Sequence, residues 1–280
     1  MKHREEYGRR YHAYKAGKYF LPNDEGENDR LDLQHHIFSL TLSGKLYLSP
    51  LSSTTLHNVL DIGTGTGIWA IDFADEHPEA KVKGIDLSPI QPSFIPPNLS
   101  FEIDDLEEEW TFNEKFDFIF SRQMTGSFVN FVAFFSQAFT FLNPGGYLEA
   151  IDVTYPIQCD DGSLKEDSAL KRWADLSLEA SIKLGRPVNS ATKYKAQFEA
   201  AGFVDVVQTE FKWPLNQWPK GKKEKELGIW TRENFLNALS AGSMVLFTKG
   251  LGWTDQEVEA FLVDVRKDIK NPANHAYWLV

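Results

Sequence analysis

Apolar runs alternate with helical patterns through the middle of the chain. Short runs rich in β-branched and aromatic residues are typical of buried strands, and the segments between them carry the spacing of amphipathic helices. The pattern predicts strands at 59–62, 81–86, 99–103, 116–121 and 147–153, and helices at 68–76 and 128–142. Strands separated by helices favour right-handed crossovers, so we expect an α/β fold on a mostly parallel sheet.

The N-terminal segment is polar and rich in tyrosine. Four tyrosines between positions 7 and 19 fall at helical spacings, and residues 29–48 carry a second amphipathic pattern. A helical pattern of this kind buries one face on a neighbouring element. We therefore expect residues 1–55 to form an arm of helices that packs on the body or covers a ligand.

The C-terminal part follows a less regular pattern, and residues 56–280 are expected to form the main domain. Helical patterns occur at 166–184, 191–201, 235–247 and 254–269, a strand pattern at 203–213, and a last apolar run at 276–280. The Lys-rich tract at 220–225 indicates an exposed loop tip. We predict an exposed insertion over 214–234, and a lid over about 214–250.

A glycine-rich turn links the first strand to the first helix of this pattern. Asp61 ends the strand, and Gly63, Gly65 and Gly67 follow on alternate positions. This anatomy is typical of a nucleotide site, where glycine lets the backbone turn sharply and approach a ligand. A phosphate-binding P-loop would need Lys-Ser/Thr after the last glycine, whereas this chain has Ile68-Trp69.

Carboxylates at the next two strand ends narrow the choice of ligand. Asp86 ends the second strand, where an acid can accept both ribose hydroxyls, and Asp104 and Asp105 follow the third. An acid there can accept from an exocyclic amine, while Leu106 packs on a purine face. These acids would repel pyrophosphate, so the set indicates adenosine with a cationic end, as in S-adenosylmethionine.

Composition restricts the partners and the compartment. The 280 residues carry a formal net charge of −11, which argues against direct nucleic-acid binding. Cys159 is the single cysteine, no apolar run has the length of a membrane span, and no His/Cys cluster has zinc spacing. We expect a protein of the cytoplasm, the nucleus or both, without a metal site or a membrane partner.

Several motifs resemble those of known methyltransferases. Asp61–Gly67, Gly84–Ser88 and Leu142–Gly146 are similar to class I S-adenosylmethionine-dependent enzymes. The chain further resembles the fungal LaeA-like (UMTA/TAM-domain) methyltransferases, from about residue 11 to the C-terminus, at Tyr19–Asp24, Arg30–His36, Asp86–Pro92 and Phe101–Phe112. The resemblance implies a Rossmann-like methyltransferase domain with a seven-stranded, mostly parallel sheet, its last strand short, helices on both faces, a helical arm and an inserted helical lid.

The resemblance also implies where the cofactor lies. Gly63 and Gly65 would lie against the methionine moiety and Asp61 near its amino group; Asp86 would take the ribose. Adenine would be held by Asp105 and Leu106 or by Asp104, and Tyr19 would cover the cofactor. The residues implied to bind S-adenosylmethionine are Tyr19, Asp61, Gly63, Thr64, Gly65, Asp86, Leu87, Asp104, Asp105, Leu106, Arg122 and Gln123.

The sequence does not assign a catalytic residue. Methyl transfer from a sulfonium needs alignment above all, and it needs a base only if the acceptor must lose a proton. His35, His36 and Asp152 are weak candidates for that base.

Three functions remain open. The first is methylation of a small molecule of fungal secondary metabolism. The second, implied by the resemblance, is a LaeA/VapB-like regulatory methyltransferase that acts on protein or chromatin, or as a partner in a complex. The third is a fold that binds the cofactor without turnover, which the intact motifs disfavour.

Overall fold

The structure, a computed structural model, describes residues 4–51 and 55–280. The strands are β1 (Arg4–Glu6), β2 (Arg9–Tyr11), β3 (Asn58–Ile62), β4 (Lys81–Asp86), β5 (Leu99–Ile103), β6 (Phe116–Arg122), β7 (Leu142–Ile151), β8 (Thr154–Gln158), β9 (Lys212–Pro214) and β10 (Tyr277–Leu279). The helices are α1 (Glu25–Thr41), α2 (Ile68–Glu76), α3 (Phe131–Phe141), α4 (Ala169–Lys183), α5 (Tyr194–Ala201), α6 (Lys222–Val245) and α7 (Asp255–Lys270).

The central sheet is parallel and has the strand order β5-β4-β3-β6-β7. The chain leaves β3 toward β4 on one side and later returns to β6 on its other side. This reversal of strand order opens a crevice at the carboxyl ends of β3 and β6, where ligands bind in open α/β sheets. The predicted α/β fold with a parallel sheet is confirmed, and the predicted central strands agree to within a few residues.

Helices cover both faces of this sheet, as predicted. On one face α2 contributes Trp69, which stacks on Phe120 with the ring centroids 3.8 Å apart. On the other face α3 and α5 bury Phe135 and Phe198, whose rings lie 4.4 Å apart. Both faces of the strands are therefore apolar, which explains the continuous hydrophobic runs in the sequence.

The N-terminal arm begins with a hairpin, so the helical prediction for its tyrosines is wrong. Strands β1 and β2 pair antiparallel around Tyr7 and Gly8, whose φ angles of 51° and 69° are typical of a type I′ turn. The long helix of the arm, α1, starts at residue 25 rather than 29, because Asp24 caps it by accepting from the Glu27 N–H.

The central sheet has five strands among the described residues, not the seven that the resemblance implies. The predicted strand at 203–213 is wrong over most of its length: Val204 and Val207 are 83% and 84% exposed, and only the end enters β9. The last strand, β10, pairs with β8 and β9 in a separate antiparallel sheet. Phe211 pairs with Val280 just beyond β10, but segment 203–210 has no strand partner among the described residues.

The predicted exposed insertion at 214–234 is also wrong for most of its residues. Leu215 and Asn216 are buried, and α6 runs unbroken from 222 to 245 against α1 and α7. Only the tract 220–226 is continuously exposed, as the lysines predicted. None of the described helices has the length and apolarity to cross a bilayer.

Candidate functional site

A cavity of about 300 Å³ lies at the carboxyl ends of the central strands. The sheet forms its floor, and α1, the segment before it and α6 enclose it from above. All twelve residues predicted to bind the cofactor line this cavity: Tyr19, Asp61, Gly63, Thr64, Gly65, Asp86, Leu87, Asp104, Asp105, Leu106, Arg122 and Gln123. The structure therefore brings them together; whether each binds the cofactor stays a prediction.

The glycine-rich turn is fixed to the neighbouring strand. The N–H groups of Gly63 and Thr64 both donate to the Ile85 carbonyl, at 2.9 and 3.0 Å. Gly63 has φ +67°, and a Cβ there would lie 2.2 Å from the Met124 sulfur. No other residue fits without displacing Met124, so the turn explains why glycine occupies this position.

Asp86 is held rigidly at the end of β4. Its two carboxylate oxygens accept from the N–H groups of Gly65 at 2.9 Å and Ser88 at 2.8 Å. Burial raises the pKa of Asp86, and these N–H groups oppose that rise. Each oxygen retains a lone pair, so the carboxylate can accept hydroxyl groups from the cavity.

Asp61 lies deeper, at the end of β3. It is 3% exposed and accepts from the Thr64 hydroxyl at 2.6 Å. Burial raises the pKa of Asp61 to about 7, against the opposing effects of the Thr64 hydrogen bond and the positive charge of Arg122. A cationic amino group placed beside Asp61 would favour its ionised form.

The acidic loop after β5 is covered by the N-terminal segment. Lys18 forms ion pairs with Asp105 and, at 3.3 Å, with Glu107. Arg186 also contacts Glu107, at 2.7 Å. Asp105 is therefore already paired in this structure, while Leu106 lies beside it and is 7% exposed.

The charges around the cavity fit a ligand that carries no phosphate. Three basic side chains line it against six acidic ones. Each basic group is already engaged: Lys18 by the acidic loop, Arg30 by Glu27 at 2.7 Å, and Arg122 by His35 at 3.1 Å. This set of hydrogen-bond acceptors suits S-adenosylmethionine, which has an adenosine, a sulfonium and an amino group but no phosphate.

The three weak candidates for a base lie outside this cavity. His35 uses both ring nitrogens, since Nδ1 accepts from Arg122 and Nε2 lies 3.0 Å from Asp72. His36 is exposed on the far side of α1, against Trp230. Asp152 is buried and accepts from Tyr194 and Thr125. His35 and Asp152 are thus held by partners in the fold, and a role as base for any of the three stays a prediction.

Gln123 is strained and faces the cavity. It follows β6 with φ +58°, which is rare for a residue with a side chain, and its buried Nε2 lacks a partner among the described residues. Strained backbone and orphaned polar groups cluster at functional sites. Both features fit the predicted role of Gln123 in binding the cofactor, which stays a prediction.

The residues on the opposite wall were missed in the sequence. One face of α6 lines the cavity at helical spacing, and four aromatic side chains face it from other elements. The available signal was the i, i+3, i+4 spacing along α6. The missed residues are Tyr155, Trp173, Trp213, Thr231, Asn234, Phe235, Ala238, Leu239, Gly242, Leu246 and Trp278.

The described residues contain no group of three or more His, Cys, Asp or Glu side chains that could hold a metal ion.

The cavity has two halves, one rich in carboxylates at the strand ends and one aromatic under α6.

Comparison with known proteins identifies this architecture. The family model for a methyltransferase domain matches residues 33–208. Methyltransferase pytC of Aspergillus terreus is 40% identical over 272 residues, covering 97% of this chain and 84% of pytC. The protein-methionine methyltransferase laeA of Emericella nidulans is 33% identical over 277 residues, covering 98% of this chain and 73% of laeA.

A solved structure supports the fold. The YcgJ protein from Bacillus subtilis superposes with a TM-score of 0.52 at 17% identity, covering 88% of this chain and 94% of YcgJ. The matched domain, the relatives and the strand-end site agree with one another. The chain therefore belongs to the class I S-adenosylmethionine-dependent methyltransferases, and within them to the LaeA-like fungal family.

Proposed function

We propose that this methyltransferase acts on a small apolar molecule of fungal secondary metabolism. The proposal is supported by one observation above all. The same cavity extends from the strand-end carboxylates to an aromatic wall under α6, where its lining is mostly apolar. An apolar pocket with a small number of placed polar groups is typical of small-molecule sites.

The residues at the strand ends are suited to hold S-adenosylmethionine. Asp86 would accept the ribose hydroxyls, Asp61 would face the amino group, and Leu106 would pack on the adenine. When bound, the cofactor supplies an electrophilic methyl group on its sulfonium. The protein then has to align the acceptor with that methyl group and exclude water.

The acceptor side offers no free base. No histidine is among the described residues that line the cavity, and the one carboxylate beside α6, Glu27, is bound by Arg30 through both oxygens. Loss of a proton from an ordinary alcohol would therefore be unassisted. This favours an acceptor atom that is nucleophilic without losing a proton first, such as a neutral amine nitrogen or a sulfur.

The proposal is tested first at the cofactor. We expect Asp86→Ala to abolish S-adenosylmethionine binding in calorimetry, because the ribose hydroxyls lose their acceptor. Asp75→Ala, which removes an exposed carboxylate on the neighbouring α2, is the control and should bind as the wild type does. Wild-type affinity in the Asp86 variant would contradict the assignment of the site.

The acceptor class is tested with labelled methyl groups. The protein is incubated with labelled S-adenosylmethionine and host extract, which is then separated into small-molecule and protein pools. We expect label in the small-molecule pool, dependent on Asp86. Label in the protein pool alone would overturn the proposal.

A protein acceptor is the second candidate, and the missing base favours it as well. The relative laeA is described as a protein-methionine methyltransferase. A thioether has no proton to lose, so its methylation needs no base. The two candidates differ in the pool that carries the label.

A further inference from the structure

The wall under α6 has a defined chemical character. The residues of α6 that line the cavity follow one another at helical spacing, so a single face of the helix forms the wall. This acceptor wall consists of Thr231, Asn234, Phe235, Ala238, Leu239 and Gly242. Ala238 and Gly242 are the smallest of these residues, and both are partly exposed to the cavity. Ala238 and Gly242 therefore leave open space in the cavity, whereas the larger neighbours on the same wall fill theirs.

Aromatic rings surround that space. Tyr155, Trp173, Trp213 and Trp278 line the cavity from β8, α4, β9 and β10. The indole N–H of Trp173 donates to Ser243 and that of Trp213 donates to Thr41, both at 2.8 Å. Because these polar atoms are already bonded and the two indoles are only 4% and 1% exposed, what they turn toward the cavity is carbon, which favours an apolar ring as the ligand.

One polar atom of the acceptor wall lacks a partner. Thr231 is 1% exposed, lines the cavity, and its buried Oγ1 has no hydrogen-bond partner among the described residues. An orphaned buried hydroxyl is costly, and a ligand that bonds to it removes that cost.

The nearby charges cancel each other. Glu27 and Arg30 are 2% and 4% exposed and form an ion pair, and Asn234 Oδ1 accepts from Arg30 at 2.9 Å. The polar groups beside α6 are therefore neutral as a set. A charged acceptor would be buried there without a free counter-ion, at a high cost.

We infer that the acceptor is an uncharged, flat aromatic molecule with a hydroxyl or carbonyl oxygen that forms a hydrogen bond with the Thr231 hydroxyl. This inference rests on the proposed function and specifies its substrate class. The partly exposed Tyr155 and the edges of the buried indoles surround the rings of the acceptor, Ala238 and Gly242 provide the volume, and Thr231 fixes the orientation of the oxygen.

The test pairs a ligand change with a protein change. The probes are 2-naphthol and naphthalene, which share a ring system and differ by the hydroxyl. Their binding is measured by equilibrium dialysis with S-adenosylhomocysteine present. Thr231→Val removes the hydroxyl at constant shape, whereas Thr231→Ser keeps it. We expect Thr231→Val to weaken 2-naphthol binding about 5- to 10-fold and to leave naphthalene binding unchanged. Thr231→Ser should restore 2-naphthol binding.

A second pair of variants tests the volume. Ala238→Phe should abolish binding of both probes by filling the space, while calorimetry shows wild-type affinity for S-adenosylhomocysteine. Asn237→Phe places the same ring on the exposed face of α6 and should bind both probes as the wild type does.

The outcomes separate this inference from the proposed function. If S-adenosylhomocysteine does not bind to the wild type, the proposed function fails. If it binds but Thr231→Val weakens both probes equally, or Ala238→Phe leaves both bound, the acceptor inference alone is overturned.

Discussion

Replacing Asp61 by asparagine tests whether the site keeps a buried carboxyl for its ligand at a cost in stability. Asp61 is 3% exposed, and burial raises its pKa to about 7 from an ordinary value of 3.8. Since the pKa is higher in the folded state, folding takes up a proton, and stability falls as the pH rises from about 4 to about 7. A shift of about three pKa units corresponds to about 4 kcal/mol at pH 8.

Asparagine has the same shape but cannot ionise. We therefore expect Asp61→Asn to gain stability relative to the wild type as the pH rises, by about 2–3 kcal/mol between pH 5 and pH 8. Urea unfolding of the cofactor-free protein at several pH values measures this difference. The same variant should bind S-adenosylmethionine more weakly, because its amino group loses a negative partner.

Asp117→Asn is the matched control. Burial alone would raise the pKa of Asp117, but hydrogen bonds from the Asn58 and His57 N–H groups and from Asn143 lower it below its ordinary value. Its stabilising effect is present above about pH 4 and is lost only in acid. Asp117→Asn should therefore lose the same stability at pH 5 and pH 8. If the difference in unfolding free energy between Asp61→Asn and the wild type were also the same at pH 5 and pH 8, the reasoning would be refuted.

Three further variants test other parts of the site. Gly67→Ala should cost about 2–4 kcal/mol in urea unfolding, since φ is +82° and a Cβ would lie 2.4 Å from the Phe101 ring; a smaller loss would show that the ring moves aside. Lys18→Ala should speed cofactor release several-fold in stopped flow, because Lys18 ties the segment before α1 to the acidic loop, and the effect should shrink in high salt. An unchanged release rate would mean that the segment before α1 does not act as a lid. His35→Gln should lower the melting temperature but keep turnover within about tenfold, whereas loss of a general base costs about 10²–10⁴.

The half of the cavity that is predicted to hold the cofactor could be assembled from the sequence because its signals are local. Each strand of the central sheet is a short apolar run, and the acids predicted to bind the ligand stand at strand ends, as Asp61 and Asp86 do. In a parallel sheet these ends meet at one edge, so sequence order alone brings them together. The turn between β3 and α2 has its glycines where the backbone requires positive φ.

The predictions failed where distant partners decide the structure. Segment 203–210 has strand-forming residues, but β10 pairs with β8 and β9, so this segment has no strand beside it among the described residues. The tyrosines at 7 and 11 have helical spacing, yet the Tyr7-Gly8 turn forms a hairpin. Local propensity is overridden when strand pairing or a turn contributes more to the stability of the fold.

The two halves of the cavity also differ in how a substitution would act. Residues predicted to face the cofactor lie at the strand ends and turns of the central sheet, where a change such as Gly63→Ala strains a backbone with φ +67° and displaces the Met124 side chain. The acceptor wall is one face of α6, where Ala238 and Gly242 can change size while the helix remains intact. Because a helix tolerates such changes better than a tight turn does, we expect substitutions on this face of α6 to alter the acceptor while cofactor binding is kept. The identity of residues 231, 238 and 242 should therefore predict the acceptor better than any motif in the glycine-rich turn.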